Sequence, residues 1–196
     1  MNEGGVKFSD HHVQSPLNKM DRTCLVCHRE SEETLRQNVY ERQEKVFDVR
    51  NQVEKELAKA HIQAKYAWDN GATEEQMKET LALLRKSQWR WDFAVASHGA
   101  SFHAPQEMTR ILSHSLEYAL KAQVEITRTL AKLGHLEEVP MPDISTKEKA
   151  QEYLGLDMAG KVAAKEKFLQ EIRPKWLEDA RAKGKVRDDA YTTVTL

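Results

Sequence analysis

The sequence has few of the residues and none of the long apolar runs that mark several protein classes. Its 8 glycines and 5 prolines in 196 residues are too few for a collagen-like or low-complexity chain. The longest stretch without a formal charge, residues 93–106, is shorter than the ~20 residues of a membrane span, and no signal-peptide pattern opens the sequence. The 30 Lys+Arg and 31 Asp+Glu nearly cancel, so we expect no general attraction to nucleic acid or to an anionic membrane.

The apolar residues recur with a helical period, and no β-alternation of useful length is present. We therefore predict an all-α fold, a bundle of long antiparallel helices. The first helix should begin at the capping residue Ser31 and stop at Asn70 and Gly71. Its apolar positions form a nearly pure heptad stripe that only Arg42 interrupts. The stripe consists of Leu35, Val39, Val46, Val49, Val53, Leu57, Ala60, Ala64 and Ala67.

Residues that favour helix starts and helix ends divide the rest of the chain. A capping box at residues 73–76 should open a second helix that ends before Gly99, and Pro105 should open a third that stops at Gly134. After a loop over residues 135–145, a capping box at 145–148 predicts shorter helices, the last restarted or kinked at Pro174. We thus expect an extended N-terminal arm (1–30), a long-helix domain (31–184) and a C-terminal tail (185–196).

The two cysteines lie in the motif Cys24-Leu25-Val26-Cys27-His28. Thiols at this spacing can add to the two vinyl groups of one haem, and the adjacent imidazole can then bind the iron. A thioredoxin-like redox pair normally needs a βαβ unit, which the sequence does not show. A zinc site needs four ligands; the chain has no other cysteine, although His98 and His103 could be argued. Chance is the third alternative, and covalent haem is the favoured interpretation.

A haem that transfers electrons also needs a sixth iron ligand, usually His or Met. The pair His11-His12 and the segment 97–105 stand out, because they lie in non-helical or junction segments where a side chain can be aimed. The residue types alone do not assign either one. Trp89 and Trp91 should face nearly opposite ways on a helix, and packing between helices is their simplest interpretation.

Five separated motifs, in this order, resemble the C-terminal part of the pentahaem cytochrome c nitrite reductases over residues 6–184. They are Ser9-Asp10-His11-His12-Val13, the motif at 24–28, Gln88-Trp89-Arg90-Trp91-Asp92, Ala96-Ser97-His98-Gly99 with His103-Ala104-Pro105, and the run from Pro142 to Ala150. The resemblance implies that Cys24 and Cys27 attach the last haem and that His28 is its proximal ligand. It makes His11 and His103 iron ligands of two other haems, attached upstream.

The same resemblance implies a periplasmic, ammonia-forming oxidoreductase that is a homodimer through its long helices. A donor cytochrome or quinol dehydrogenase would supply its electrons. This chain has one Cys-x-x-Cys-His where the family has four, and it lacks the catalytic haem and the calcium ligands. We therefore expect a fragment that is inactive alone, with no catalytic residue of its own, an N-terminal haem domain as its missing partner, and calcium only in the missing part.

An alternative is an autonomous monohaem c-type electron-transfer or helical interaction domain, which should supply both axial ligands itself.

The length of the first helix bears on self-association. A helix from Ser31 to Asn70 spans ~60 Å, whereas a compact globule of this chain length is about 42 Å across. The apolar stripe on the overhang must be covered, which predicts a dimer unless the other helices of the same chain fold back over it.

Overall fold

The structure, a computed structural model, describes residues 14–97 and 99–185, together with the backbone of a short antiparallel hairpin, β1 (Asn2–Glu3) and β2 (Val6–Lys7). The predicted all-α class is confirmed. The α-helices of the described ranges are α1 (Glu32–Asp69), α2 (Glu74–Ala96), α3 (Ala100–His103), α4 (Pro105–Lys132), α5 (Lys147–Tyr153), α6 (Met158–Lys167) and α7 (Arg173–Ala182). Within the described ranges, no helix combines the length and the hydropathy needed to cross a membrane.

The segment before α1 corrects one expectation. Residues predicted to be extended instead form two 3₁₀ segments, Pro16–Arg22 and Cys24–Val26. Thr23 lies between the two segments, and its hydroxyl lies 2.8 Å from the carbonyl oxygen of Pro16 and 2.9 Å from that of Lys19, both in the first segment. These contacts close the segment Pro16–Arg22 into a compact turn. The spacing of apolar residues in the sequence does not predict contacts of this kind.

The ends of the long helices lie where local capping chemistry places them. Ser31 Oγ accepts the backbone N–H of Thr34 at 3.2 Å and begins α1. Thr73 and Gln76 form the predicted capping box of α2, each side chain accepting the other residue's backbone N–H. Gly71, just after α1, has a φ of +89°, which glycine adopts at little cost.

The first of two compact units, Met1–Val139, packs α1, α2 and α4 around two clusters of buried apolar residues, and Trp91 packs against both clusters. The α1 stripe from Val46 to Ala67 is covered by apolar residues of α2 and α4, so the chain itself hides the surface that motivated the dimer. Ser87 on α2 and Ser115 on α4 are fully buried and donate to each other's backbone carbonyls, at 2.8 and 2.7 Å. Small side chains at this contact let the two helices approach closely.

The second unit, Pro140–Leu196, contains α5, α6 and α7, so the predicted domain 31–184 is divided between two units. Thr146, rather than Ser145, caps α5, because its hydroxyl accepts the N–H of Lys149. A π-helical turn, Phe168–Ile172, separates α6 from α7, and Pro174 lies in the first turn of α7, where the sequence predicts a restart. Residues 186–196 of the predicted tail lie outside the described part.

Candidate functional site

A cleft of about 430 Å³ opens in the first unit beside the cysteine motif. The 3₁₀ segments form one wall, the first turns of α1 form a second, and α3 forms a third. The cleft is lined by Pro16, Thr23, Cys24, Cys27, His28, Glu30, Leu35, Asn38, Val39, Arg42, Phe102 and His103. Its size is within the range of small-molecule and cofactor sites.

The cysteine motif forms a single turn that directs three reactive groups into this cleft. The backbone N–H groups of Cys27 and His28 both donate to the carbonyl of Cys24, at 3.2 and 2.9 Å. The Cys24 side chain is half-buried and that of Cys27 is exposed, and both thiols are free. The turn therefore presents two accessible thiols and an imidazole along one side of the cleft.

The His28 side chain is 48% exposed, and its Nδ1 lies 3.7 Å from Glu30 Oε2. This distance is too long for a hydrogen bond but close enough for electrostatic attraction. The pKa of Glu30 lies below its ordinary value, chiefly because the carboxylate accepts the backbone N–H groups of Glu30 itself and of Arg29, with a smaller effect of His28. A carboxylate beside Nδ1 leaves Nε2 as the nitrogen available to a metal.

The α1 wall is a single helical face with two kinds of chemistry. Leu35, Asn38, Val39 and Arg42 are spaced i, i+3, i+4 and i+7, which aligns them along α1. Leu35 and Val39 are buried and apolar, whereas Arg42 is exposed and cationic. The sequence shows Arg42 only as an interruption of the apolar stripe, and that interruption is the signal by which it could have been found.

The third wall brings in His103, from a position 75 residues after His28. His103 is the last residue of α3, a helix that the sequence did not predict; it is exposed, and its ring packs on Phe102 with centroids 4.6 Å apart. The structure thus brings together four of the predicted site residues: Cys24, Cys27, His28 and His103. The fifth, His11, lies outside the described residues, as do His12 and His98.

Trp89 and Trp91 on α2 have different surroundings, as their spacing predicts. Trp91 packs against the core, and its Nε1 donates to Glu54 Oε1 at 3.3 Å. Trp89 is 68% exposed and lines a separate groove on α1 and α2 with Trp68 and Leu81. Trp91 therefore has a packing role, and Trp89 has little contact with the core.

The cleft residues fit a covalently bound haem. Two free thiols three residues apart match its two attachment points, His28 offers an iron ligand, and Leu35 and Val39 offer an apolar wall. Among the described residues, no group of three or more His, Cys, Asp or Glu side chains is placed to hold a metal ion directly. When bound, haem supplies one-electron redox chemistry.

These features define a c-type cytochrome. The chain belongs to the cytochrome c552 family, whose family model matches residues 1–186. It is 67% identical to a cytochrome c-552 of Bacteroides thetaiotaomicron and 65% identical to one of Porphyromonas gingivalis, each over 184 residues, or 94% of this chain. A cytochrome c-552 of Parabacteroides distasonis is 64% identical over 179 residues. The chain spans only about 37% of the length of these relatives.

These matches correct the family assignment made from the sequence. The family shown is cytochrome c552, and neither its name nor those of the relatives states a nitrite-reducing activity. The prediction of an inactive nitrite reductase fragment, with a catalytic haem and calcium in an absent part, is therefore replaced by a c-type cytochrome for which no enzymatic activity is shown. The physical reason is that the five motifs describe helices around haem, and such a frame does not specify a reaction.

Proposed function

We propose that this chain carries one haem c, attached through Cys24 and Cys27 with His28 on the iron, and that it functions in electron transfer. The observation that supports the proposal most directly is the convergence of both free thiols and the imidazole on one cleft with an apolar wall. The cytochrome family of the chain supports the same cofactor. We place its action in the periplasm, and we retain a donor cytochrome or quinol dehydrogenase as the predicted redox partner.

The proposal is tested by expressing the chain in a host that attaches haem c in the periplasm. Intact mass should rise by one haem, and the visible spectrum should show a Soret band that survives denaturation and acid-acetone extraction. A Cys24→Ser, Cys27→Ser double variant should lose the covalent mass and keep the helical circular dichroism. A matured wild-type chain without covalent haem would overturn the proposal.

His103 is our candidate for the sixth ligand of this haem. Apart from His28, it is the histidine among the described residues that lines the cleft, and its side chain is exposed. An autonomous electron carrier needs both axial ligands from its own chain. The resemblance to the pentahaem enzymes instead implies that His103, like His11, binds the iron of a different haem. That assignment stays a prediction, and the spectrum of a His103 variant separates the two.

We also propose that the protein is a homodimer, joined through the groove that Trp68, Leu81 and Trp89 line on α1 and α2. All three side chains are large, apolar and more than one-third exposed, and they lie beside charged residues of both signs. Exposed aromatic residues with a charged rim are typical of association surfaces. The groove replaces the α1 stripe as the basis of this prediction.

A further inference from the structure

We propose that Arg42 pairs with a propionate carboxylate of the haem in the cleft, and so fixes that end of the cofactor and raises its reduction potential. The inference rests on the proposed haem attachment at Cys24 and Cys27. It concerns a residue outside the motif, which the sequence marks only as a break in the apolar stripe of α1.

The first observation is that Arg42 is the one cleft-lining residue among those described that is cationic at every physiological pH. It lies on the same face of α1 as Leu35 and Val39, two turns after Leu35 and one turn after Val39. The wall thus changes from apolar to cationic along its length. Haem matches that order, because it has an apolar ring system with two carboxylates at one edge.

The second observation is that Arg42 has no carboxylate within ion-pair distance among the described residues. Its neighbours on α1 differ in this respect. Arg36 pairs with Glu32 at 2.6 Å, and Arg50 pairs with Glu54 at 3.1 Å, each one turn away. The residues four before and four after Arg42 are Asn38 and Val46, which offer no charge.

The third observation is that the Arg42 side chain is already held at the cleft. Its Nη1 donates to the backbone carbonyl of Phe102 on α3 at 3.1 Å, although 60 residues separate the two. A guanidinium has five N–H donors in a planar fork, so this bond leaves a pair of donors for a carboxylate. A bidentate bond of this kind is stronger than a bond between neutral groups.

The electrostatic consequence gives a measurable effect. A fixed positive charge beside a propionate offsets its negative charge and favours the reduced haem. In the haem-loaded chain, Arg42→Gln should lower the midpoint potential and change the equilibrium between oxidised and reduced haem by up to about tenfold, which is ~59 mV for one electron. The shift should shrink at high ionic strength, because the guanidinium is partly exposed.

The matched control is Lys45→Gln, which removes the same charge three residues further along α1 and outside the cleft. Lys45→Gln should leave the potential nearly unchanged, and Arg42→Lys should recover part of the Arg42→Gln loss. Equal haem content and equal helical circular dichroism establish that the variants are folded. Equal potentials for Arg42→Gln and Lys45→Gln would overturn the inference and leave Arg42 with its Phe102 contact alone.

A second measurement tests the inference on the wild-type protein, for the case in which the Arg42→Gln variant does not attach haem. In the wild-type ferrous protein, which is low-spin and diamagnetic when both axial ligands are bound, the Arg42 side-chain N–H protons should show nuclear Overhauser effects to the propionate methylene protons. Their absence, with the Arg42 resonances assigned, would overturn the inference while the proposed function stands. Absence of covalent haem from the wild-type chain would instead overturn the proposed function, and this inference with it.

Discussion

Arg36 Nη2 donates to the backbone carbonyl of Leu17 at 3.0 Å and ties the 3₁₀ segment Pro16–Arg22 to α1. The same nitrogen contacts Glu32 Oε1 at 2.6 Å, so the guanidinium is held from the helix side as well. Met20, in the same 3₁₀ segment, is buried. The turn that contains the two cysteines is therefore positioned by contacts outside the motif.

Arg36→Gln should loosen the cysteine turn without unfolding the bundle, because it removes a link at the edge of the first unit. Backbone amides of Cys27 and His28, which donate to Cys24, should exchange hydrogen faster than in the wild type. Hydrogen exchange read by mass spectrometry measures this. Arg110→Gln on α4 is the control, since its partner Glu107 lies outside the cleft. Equal protection of the turn in both variants would contradict the positioning role.

His103→Ala should change the iron ligation if His103 supplies the sixth ligand. We expect the ferric haem to pass from low spin to high spin, which shifts the Soret band and the electron paramagnetic resonance signal. His114→Ala is the control, because His114 is exposed on α4 beside Glu117 and does not line the cleft. An unchanged spectrum in His103→Ala would favour the assignment of His103 to the iron of another haem.

Much of the fold follows from local sequence signals. The predicted helix boundaries at Ser31, Gly71 and Thr73 are confirmed. Capping and left-handed turns depend on a few neighbouring residues, so the local sequence predicts them. The two 3₁₀ segments before α1 differ from the predicted extended arm, because the contacts that close them, from Thr23 in the first and to the Cys24 carbonyl in the second, follow no apolar period. At α5 the prediction was shifted by one residue, because Ser145 and Thr146 are both good caps.

The site also has a part that the local sequence predicts and a part that only the packed structure shows. The spacing of Cys24, Cys27 and His28 predicts their chemistry, since all three lie in one turn. The approach of Arg42 to Phe102 depends on how α3 packs on α1 and cannot be seen from either segment alone. The motif resemblance is correct for a haem-containing cytochrome c and wrong for the reaction, because none of the five motifs contains a residue that would perform a reaction.

The buried contact between Ser87 and Ser115 should contribute measurably to stability. Ser87→Ala removes a hydroxyl that donates to the Ser115 carbonyl at 2.8 Å, which should cost about 1 kcal/mol of unfolding free energy. Ser113→Ala, which alters an exposed hydroxyl on α4, should stay within about 0.5 kcal/mol of the wild type. Urea denaturation followed by circular dichroism measures both.

The double variant Ser87→Ala, Ser115→Ala sharpens this test. The two hydroxyls lie 3.1 Å apart and share their surroundings, so the two losses should not add. A double variant as costly as the sum of the single variants would show that the hydroxyls act independently.

The proposed dimer should depend on the groove of α1 and α2. Sedimentation equilibrium at micromolar concentration should give a mass above 22.6 kDa for the wild-type polypeptide, even after allowance for one haem. Trp89→Glu should give the monomer, because it places a charge in the apolar contact. Leu120→Lys alters an exposed apolar residue on α4, outside the groove, and should leave the dimer intact. A wild-type monomer unchanged over a tenfold concentration range would exclude this dimer.

Asp143, in the second unit, should titrate at an unusually low pH. Its pKa is lowered to about 2, first by the hydrogen bond from Lys149 and then by those from Ser145. Lys149→Gln should raise the pKa toward the ordinary Asp value of about 3.9. Carboxyl ¹³C chemical shifts followed by NMR measure the midpoint. Lys147→Gln is the control, because Lys147 is not among the groups that shift this pKa.

The sign of the linked effect on stability follows from the direction of this shift. Because the folded-state pKa of Asp143 lies below its unfolded value, the ionised carboxylate stabilises the segment 143–149 above about pH 4. That stabilisation is lost as the pH falls from about 4 to about 2, when the carboxyl takes up a proton and releases Lys149. Hydrogen exchange of the Lys149 amide, which Thr146 accepts, should therefore lose protection over that range in the wild type. In Lys149→Gln, protection at neutral pH should already be lower and its further loss on acidification smaller; an identical pH profile in the two proteins would contradict the coupling.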